Sequence, residues 1–450
     1  MKRSQLDSFL SHQRAEGVVV SEGAFTLARD KALLKLANFQ LPYPGAWAVK
    51  VFQAAVAFGA SQPLRFSCER KDTTIEFDTP PTFSLPDFEA YFFNPEPHPE
   101  RAVRHLLSGL WAAGVAQKHS FLLSLPHESY SLIWTGEELE RVEGRASEKR
   151  STLIVRNYPE TEATPLFGIG PDGSRWNSET LRALTANCYT SPIPLIVDGR
   201  RLDGFQFCPT HGWNRLNFPL ALQFLEADLP PLPVPPGTLG KLTTEDMRKV
   251  KGMGLSDATT ALFEFLPHIE ETGVAMLLTA HVKAAGVKNF EARPERSLCY
   301  WIQDGAVVDS TRLRLVDSRC SVALFLNADE LKTDLSSLKL AESEQTKERF
   351  TFACRSASAA LVSLSLENLE VMVEKARKTS KVVGGLFILA GIGLTFASPY
   401  YGISFIGAGA AGLMDGGRAR NSWAAEFTDD LKKLTSDWQK AYPPFTRLKT

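Results

Sequence analysis

Ala46-Trp47-Ala48-Val49-Lys50-Val51-Phe52-Gln53-Ala54-Ala55-Val56-Ala57-Phe58-Gly59 is apolar around nearly the whole circumference of a helix. A surface helix keeps one polar face, so a helix lacking one belongs inside a packed unit. Gly59 suits its C-terminal cap. Upstream, Leu41-Pro42-Tyr43-Pro44-Gly45 separates it from helical text over 28–38, because proline removes a backbone donor and fixes its own φ. Downstream, 63–68 and 73–77 alternate with β-branched and aromatic residues and read as strands. Helices are then expected over 99–115 and 178–188, and strands over 120–125, 130–135 and 151–157. Asp198-Gly199 should turn a hairpin between 192–197 and 202–207. Elements alternate without a strict βαβ rhythm, which predicts an α+β helix/sheet sandwich around the buried helix.

A chain of 450 residues is long for one domain. The sharpest boundary is Leu229-Pro230-Pro231-Leu232-Pro233-Val234-Pro235-Pro236-Gly237, a stiff, extended linker by composition. It sets off a first domain, 1–228, from a second, smaller α+β domain, 238–350. In the second, helical text at 259–265 and 274–284 is joined by a hairpin, 298–303 and 306–309, turning at Asp304-Gly305, and by a strand at 321–326.

Fifty Lys and Arg against 51 Asp and Glu exclude the basic balance of a nucleic-acid binder, and proteins are the expected partners. The six cysteines form no Cys-x-x-Cys pair, which argues against structural zinc and a disulfide framework and suits a reducing compartment. No His or Cys cluster has metal-ligand spacing. The polar start shows no secretory signal. Gly168-Ile169-Gly170-Pro171-Asp172-Gly173 matches G-x-G-x-x-G in form only, since Pro-Asp-Gly is turn chemistry. Cys208 and His211 are close in sequence without a partner signature, and read as packing residues.

The C-terminal third has a different character. An amphipathic helix over 351–381 aligns Val362, Leu366, Leu369 and Val373 and ends in Lys375, Arg377, Lys378 and Lys381. From Val382 to Met414 there is no charged residue in 33 positions, and Arg418 and Arg420 follow. Ser398-Pro399-Tyr400-Tyr401-Gly402 divides the run into two arms, each shorter than the roughly 20 residues of one membrane span. Cations at both ends predict a hairpin entering and leaving a bilayer from its cytoplasmic side. Glycines at 384, 385, 391, 393, 402, 407, 409 and 412 would let the arms approach closely. A terminal amphipathic helix, 421–442, carries Trp423, Phe427, Leu431, Leu434, Trp438 and Tyr442 as a face expected to dock on the chain's own body.

Within 25–77 and 101–123 the chain resembles the GHKL ATPases, and most of all the nucleotide domain of the heat-shock-protein-90 chaperones. The family's Glu-x-x-x-Asn helix corresponds to the one quoted above, with Lys50 at the glutamate and Ala54 at the asparagine, or Val51 and Ala55 when slid by one, and neither register keeps a base or a metal ligand. Its Asp-x-Gly-x-Gly corresponds to Asp78-Thr79-Pro80-Pro81-Thr82, which keeps the aspartate and neither glycine. Its glycine-rich lid, helix and strand correspond to 104–122, where Gly109 remains. The resemblance implies a vestigial nucleotide site at Asp78 and Gly109, no catalytic residue and no metal ligand, with ATP or ADP at most a structural ligand. Losing a positioned carboxylate removes general-base assistance worth about 10²–10⁴-fold. The expected function is a membrane-tethered, chaperone-like scaffold. The alternative is a membrane-disrupting effector whose Gly-rich hairpin is restrained by the N-terminal domains. A third possibility, an ATPase with displaced acids, would draw on Glu22, Asp72 or Glu76.

Overall fold

A computed structural model describes residues 41–94, 97–144, 149–157, 174–212, 217–238, 264–265, 272–281, 297–313, 315, 320–334, 336, 338–363 and 431–444. The quoted helix is α1, Ala46–Ala57, with ten of its residues buried; it ends at Gly59, whose φ of +76° only glycine adopts freely. The first unit holds strands β1 (Leu64–Cys68), β2 (Asp72–Phe77), β3 (Phe121–Ser124), β4 (Tyr130–Trp134), β5 (Leu139–Glu143), β6 (Ser151–Arg156), β7 (Leu195–Val197) and β8 (Arg200–Arg201). They pair in the order β5-β4-β3-β6-β2-β1-β7-β8, with β1 and β7 parallel and every other neighbour antiparallel. One face of this sheet carries Phe66, Ile75, Phe77, Leu123, Leu153 and Val155, which share a core with α1 and with α2, Leu85–Phe92. The other helices of the unit are α3, Arg101–Leu110, which runs on as one wide π-helical segment, Trp111–Ala116, and α4, Ser174–Asn187.

The N-terminus of α2 was within reach of sequence reading: Ser84 caps it by accepting from the Asp87 backbone N–H at 3.3 Å, with proline in the first turn. Phenylalanines fill the space beside it. Phe58 meets Phe83 at 5.0 Å between ring centroids, and Phe88 meets Phe92 at 5.7 Å.

The second unit is a six-stranded mixed sheet of β9 (Asn217–Glu226), β10 (Glu264–Phe265), β11 (Thr272–His281), β12 (Leu298–Gln303), β13 (Ala306–Arg312) and β14 (Cys320–Asn327), in the order β10-β9-β11-β14-β12-β13. Helix α5, Glu344–Ser363, and the helical residues 431–441 cover one face, where Ala353, Cys354, Leu431, Leu434 and Trp438 join Met276, Trp301 and Leu324. The opposite face meets Tyr189 and Phe205 of the first unit, with Phe205 and Phe325 at 4.5 Å.

The architecture is α+β, as expected, and several local expectations are corrected. The helical text at 274–284 is largely strand β11: Val274 to Leu278 are buried one after another between β9 and β14. A strand buried on both faces shows no alternation, so its continuous apolar run resembles a helix segment. Within 259–265, Glu264–Phe265 are likewise strand. The second arm of the Asp198-Gly199 hairpin is Arg200–Arg201, and 205–207 form a short 3-10 turn instead of a strand. The proline-rich stretch does not stand between the sheets. β9 precedes it and already belongs to the second sheet, while Leu232 is buried and donates its N–H to the Thr272 carbonyl at 2.8 Å. Of the terminal stripe, Leu431, Leu434 and Trp438 dock on the body, with Trp438 Nε1 donating to the Cys354 carbonyl at 2.9 Å, while Trp423 and Phe427 lie outside the described residues. The helical text at 28–38, the glycine motif at 168–173 and the uncharged segment 382–414 lie outside the described residues, among which no helix is long and apolar enough to cross a membrane.

Candidate functional site

The most concentrated chemistry lies where a turn of the second sheet enters the helical layer of the first unit. β12 and β13 meet at Asp304-Gly305, with φ of +46° and +73°, the tight turn that Asp-Gly favours. A Cβ at Gly305 would collide with the Pro192 ring and press on Phe52 of α1 at 3.3 Å, so only glycine fits this tip. Its carbonyl accepts from Thr190 Oγ1 at 2.7 Å.

Around the tip, α1 and α3 supply bases. Lys50 is fully buried, and its Nζ donates to Gln53 Oε1 at 2.9 Å, one turn along α1. Gln53 Nε2 in turn donates to the Gln303 carbonyl at 3.0 Å, binding α1 to the end of β12. His105 Nε2 lies 2.8 Å from Asp304 Oδ2, and one Arg101 Nη reaches that oxygen at 2.6 Å and Asp329 Oδ1 at 2.9 Å. Asp329 Oδ1 also accepts the Asp304 backbone N–H at 3.0 Å, closing the group.

Burial is the leading influence on the two titratable bases. It lowers Lys50 to about 7, the positive Arg101 pushing the same way and Asp304 and Asp334 opposing. It lowers His105 to about 4, opposed by the hydrogen bond that His105 makes to the Asp304 carboxylate. At neutral pH His105 is therefore an uncharged imidazole whose Nε2–H donates to the carboxylate.

The residues singled out from sequence fall in different places. Gly109 sits on α3 where it crosses α1; a Cβ there would lie 2.9 Å from the Trp47 carbonyl oxygen and 3.2 Å from Lys50 Cβ. Its role in the structure is close helix packing. Asp78, just beyond β2, accepts from Arg150 Nε at 2.8 Å and from the Gln62 N–H at 3.1 Å. Lys50 and Gly109 are thus neighbours, while the Asp78 carboxylate is turned to Arg150. Asp72 and Glu76 alternate with the buried Thr73, Ile75 and Phe77, so they face away from the helices; Asp72 lies 3.6 Å from Arg156.

These residues do not fit a metal-bound triphosphate. Lys50 offers no carboxylate, Ala54 no oxygen ligand, and Asp78 is held by a guanidinium. Among the described residues no group of three or more His, Cys, Asp or Glu is placed to hold a metal. Cys208 is buried in the second core and its thiol is pushed up by that burial, while His211, also buried, shares a 3.1 Å hydrogen bond through Nδ1 with Tyr300 Oη.

Sequence reading missed Arg101, His105, Asp304 and Asp329 as a group. The available signals were one lysine inside an otherwise apolar helix and an Asp-Gly turn between two apolar strands.

No protein-family model matches the chain, and no curated protein does. Among solved structures, the chain is similar to the MutL ATPase domain of Aquifex aeolicus complexed with ADP. That match has 10% identity and a TM-score of 0.24, covering 59% of this chain and 84% of that one.

Proposed function

We propose that the N-terminal unit is a GHKL-like module, of the heat-shock-protein-90 kind, that has given up nucleotide hydrolysis and serves as a protein-binding scaffold. The chain's own order of elements supports the GHKL reading: the three motif positions fall on a buried helix, on the turn after a strand, and on a helix that leads into a strand. One observation carries the non-hydrolytic reading. The position of the general base is Lys50, which is sealed from solvent. Its neighbour on that side is the Asp304 turn of the second sheet. A general base must reach the attacking water, and an amine sealed from solvent does not.

The second unit closes over this place and fixes both units as one surface for clients. The uncharged segment 382–414, flanked by cations, serves as the tether to the cytoplasmic side of a membrane.

The test is full-length protein incubated with ATP and magnesium, followed by thermal melting and by release of inorganic phosphate. The proposal expects no phosphate release above a protein-free control. Turnover that persists in purified protein and is lost in a Lys50→Met variant would overturn it.

A further inference from the structure

We propose that the proline-rich stretch 229–237 is a docking ridge, laid along the second unit, for a partner domain whose groove is lined by aromatic side chains. The inference is independent of the nucleotide reading and of the Asp304 seam between the units, since it needs only this stretch and what holds it. The backbone there is dictated by the sequence. Pro230, Pro231, Pro233, Pro235 and Pro236 have φ fixed at about −65°, and every residue that precedes a proline is pushed to extended ψ. Residues 231–235 accordingly join no helix or strand, and these restraints leave the left-handed polyproline form, with three residues per turn.

Burial repeats with the same period. Leu232 and Pro235, three residues apart, are buried, and Leu229, three residues earlier, packs against the larger core. Pro233 and Pro236, again three apart, are exposed, with Pro230 half-buried on the same line and Pro231 exposed beside it. A strand laid on the sheet would bury every second residue instead. The seated side is fastened. The Leu232 N–H donates to the Thr272 carbonyl at 2.8 Å, Asn327 Nδ2 to the Pro231 carbonyl at 2.7 Å, and Gln206 Nε2 to the Gly237 carbonyl at 2.7 Å. The Thr238 N–H closes a turn on the Pro235 carbonyl at 2.9 Å and ends the stretch. Successive prolines of the ridge thus stand one turn, about 9 Å, apart.

The ridge fixes the chemistry of what fits it. Its prolines have no N–H, so their backbone accepts hydrogen bonds and donates none. Pyrrolidine rings one turn apart pack between aromatic walls, and a tryptophan indole N–H or a tyrosine hydroxyl in those walls supplies the donors. The stretch is ordered before it binds, so docking costs little chain entropy. Charge narrows the choice further. Residues 221–240 include no Lys or Arg, while Glu226 and Asp228 stand just before the first proline and Asp228 is exposed. The matching groove therefore carries cations, and not carboxylates, on the rim that meets Pro230.

The experiment presents purified full-length protein to a panel of immobilised SH3 and WW domains, two folds with aromatic grooves for polyproline, chosen with acidic and with basic rims. The expected result is saturable binding to a basic-rimmed member. Binding should weaken about tenfold or more when Pro233→Gln and Pro236→Gln are combined. Val362→Gln, which changes an exposed side chain of α5, should bind as the parent does. Urea melts should show each variant still folding cooperatively. Should the double variant not fold, competition on the parent decides: a free decaproline peptide should displace it from the bound domain. The ridge is overturned if no member of the panel binds, if only acidic-rimmed grooves bind, if the folded double variant binds as tightly as the parent, or if decaproline displaces nothing. Release of phosphate from ATP, the readout for the hydrolytic reading, has no bearing on any of these outcomes.

Discussion

An ammonium or guanidinium taken out of water is tolerated when a carboxylate meets it, and removing that carboxylate leaves the cation stranded. Asp304 has this role for Arg101, with its side chain only 9% exposed. Asp304→Asn is expected to destabilise the protein by about 1–3 kcal/mol, because a buried acceptor of the His105 hydrogen bond is weakened while Arg101, itself 35% exposed, keeps Asp329. Asp329→Asn makes an internal control. Asp329 meets the same guanidinium but its side chain is 36% exposed, so solvent screening holds its loss to about 1 kcal/mol or less. Urea titrations of the two variants side by side check the difference; equal losses would show that the seam is not the low-dielectric site that its burial implies. Lys50 stood out in the sequence because nothing else in its helix is charged. Its neighbour Asp304 did not, since the two are brought together only by the packing of one unit on the other. Asp78 was legible as an acid after a strand, yet its partner Arg150 is likewise remote in sequence and fixes its direction.

At the level of elements, the crossing of α1 and α3 depends on one missing side chain. The Trp47 carbonyl and Val51 Cγ2 occupy the space where a Cβ on residue 109 would lie. Gly109→Ala must push the helices apart or bend one of them. The gain of about 1 kcal/mol in helix propensity is then outweighed. A net loss of about 1–3 kcal/mol is expected, the range for overpacking a filled core. Melting in urea should show a lower midpoint with an unchanged slope, since the surface exposed on unfolding is the same. A Gly109→Ala variant that is more stable than the parent would mean that the helices cross more loosely. The helix α1 was readable because a run apolar on all sides and longer than a strand has one explanation. Strand β11 was not, because its apolar run is short and its neighbours β9 and β14 cover both faces. β5, with Glu140, Arg141 and Glu143 exposed, has the opposite problem: an edge strand needs so little apolar pattern that it escapes notice.

Across the whole molecule, the two ends of the segment 364–430 are fastened to the same place. Helix α5 precedes it and the helical residues 431–441 follow it, and Trp438 joins them by its bond to the Cys354 carbonyl and by burial against the second sheet. Phe350 and Tyr442 add a ring contact at 6.0 Å. A chain that leaves and returns to one surface can cross a bilayer only an even number of times, and the cations on both flanks of 382–414 ask for the same arrangement. The proposed tether therefore predicts that both folded units lie on one side. In sealed membrane vesicles, protease added from that side should digest epitopes at both termini, and protease enclosed on the other side should digest neither. Leu389→Arg, a charge within the first uncharged arm, costs about 2.5–3.5 kcal/mol at a bilayer centre and should shift the chain from the membrane pellet to the supernatant. If Leu389→Arg pellets as the parent does and resists carbonate, the uncharged arms are not what holds the protein to the membrane. In that case the fastening of both ends to α5 serves only to close a loop on the second unit.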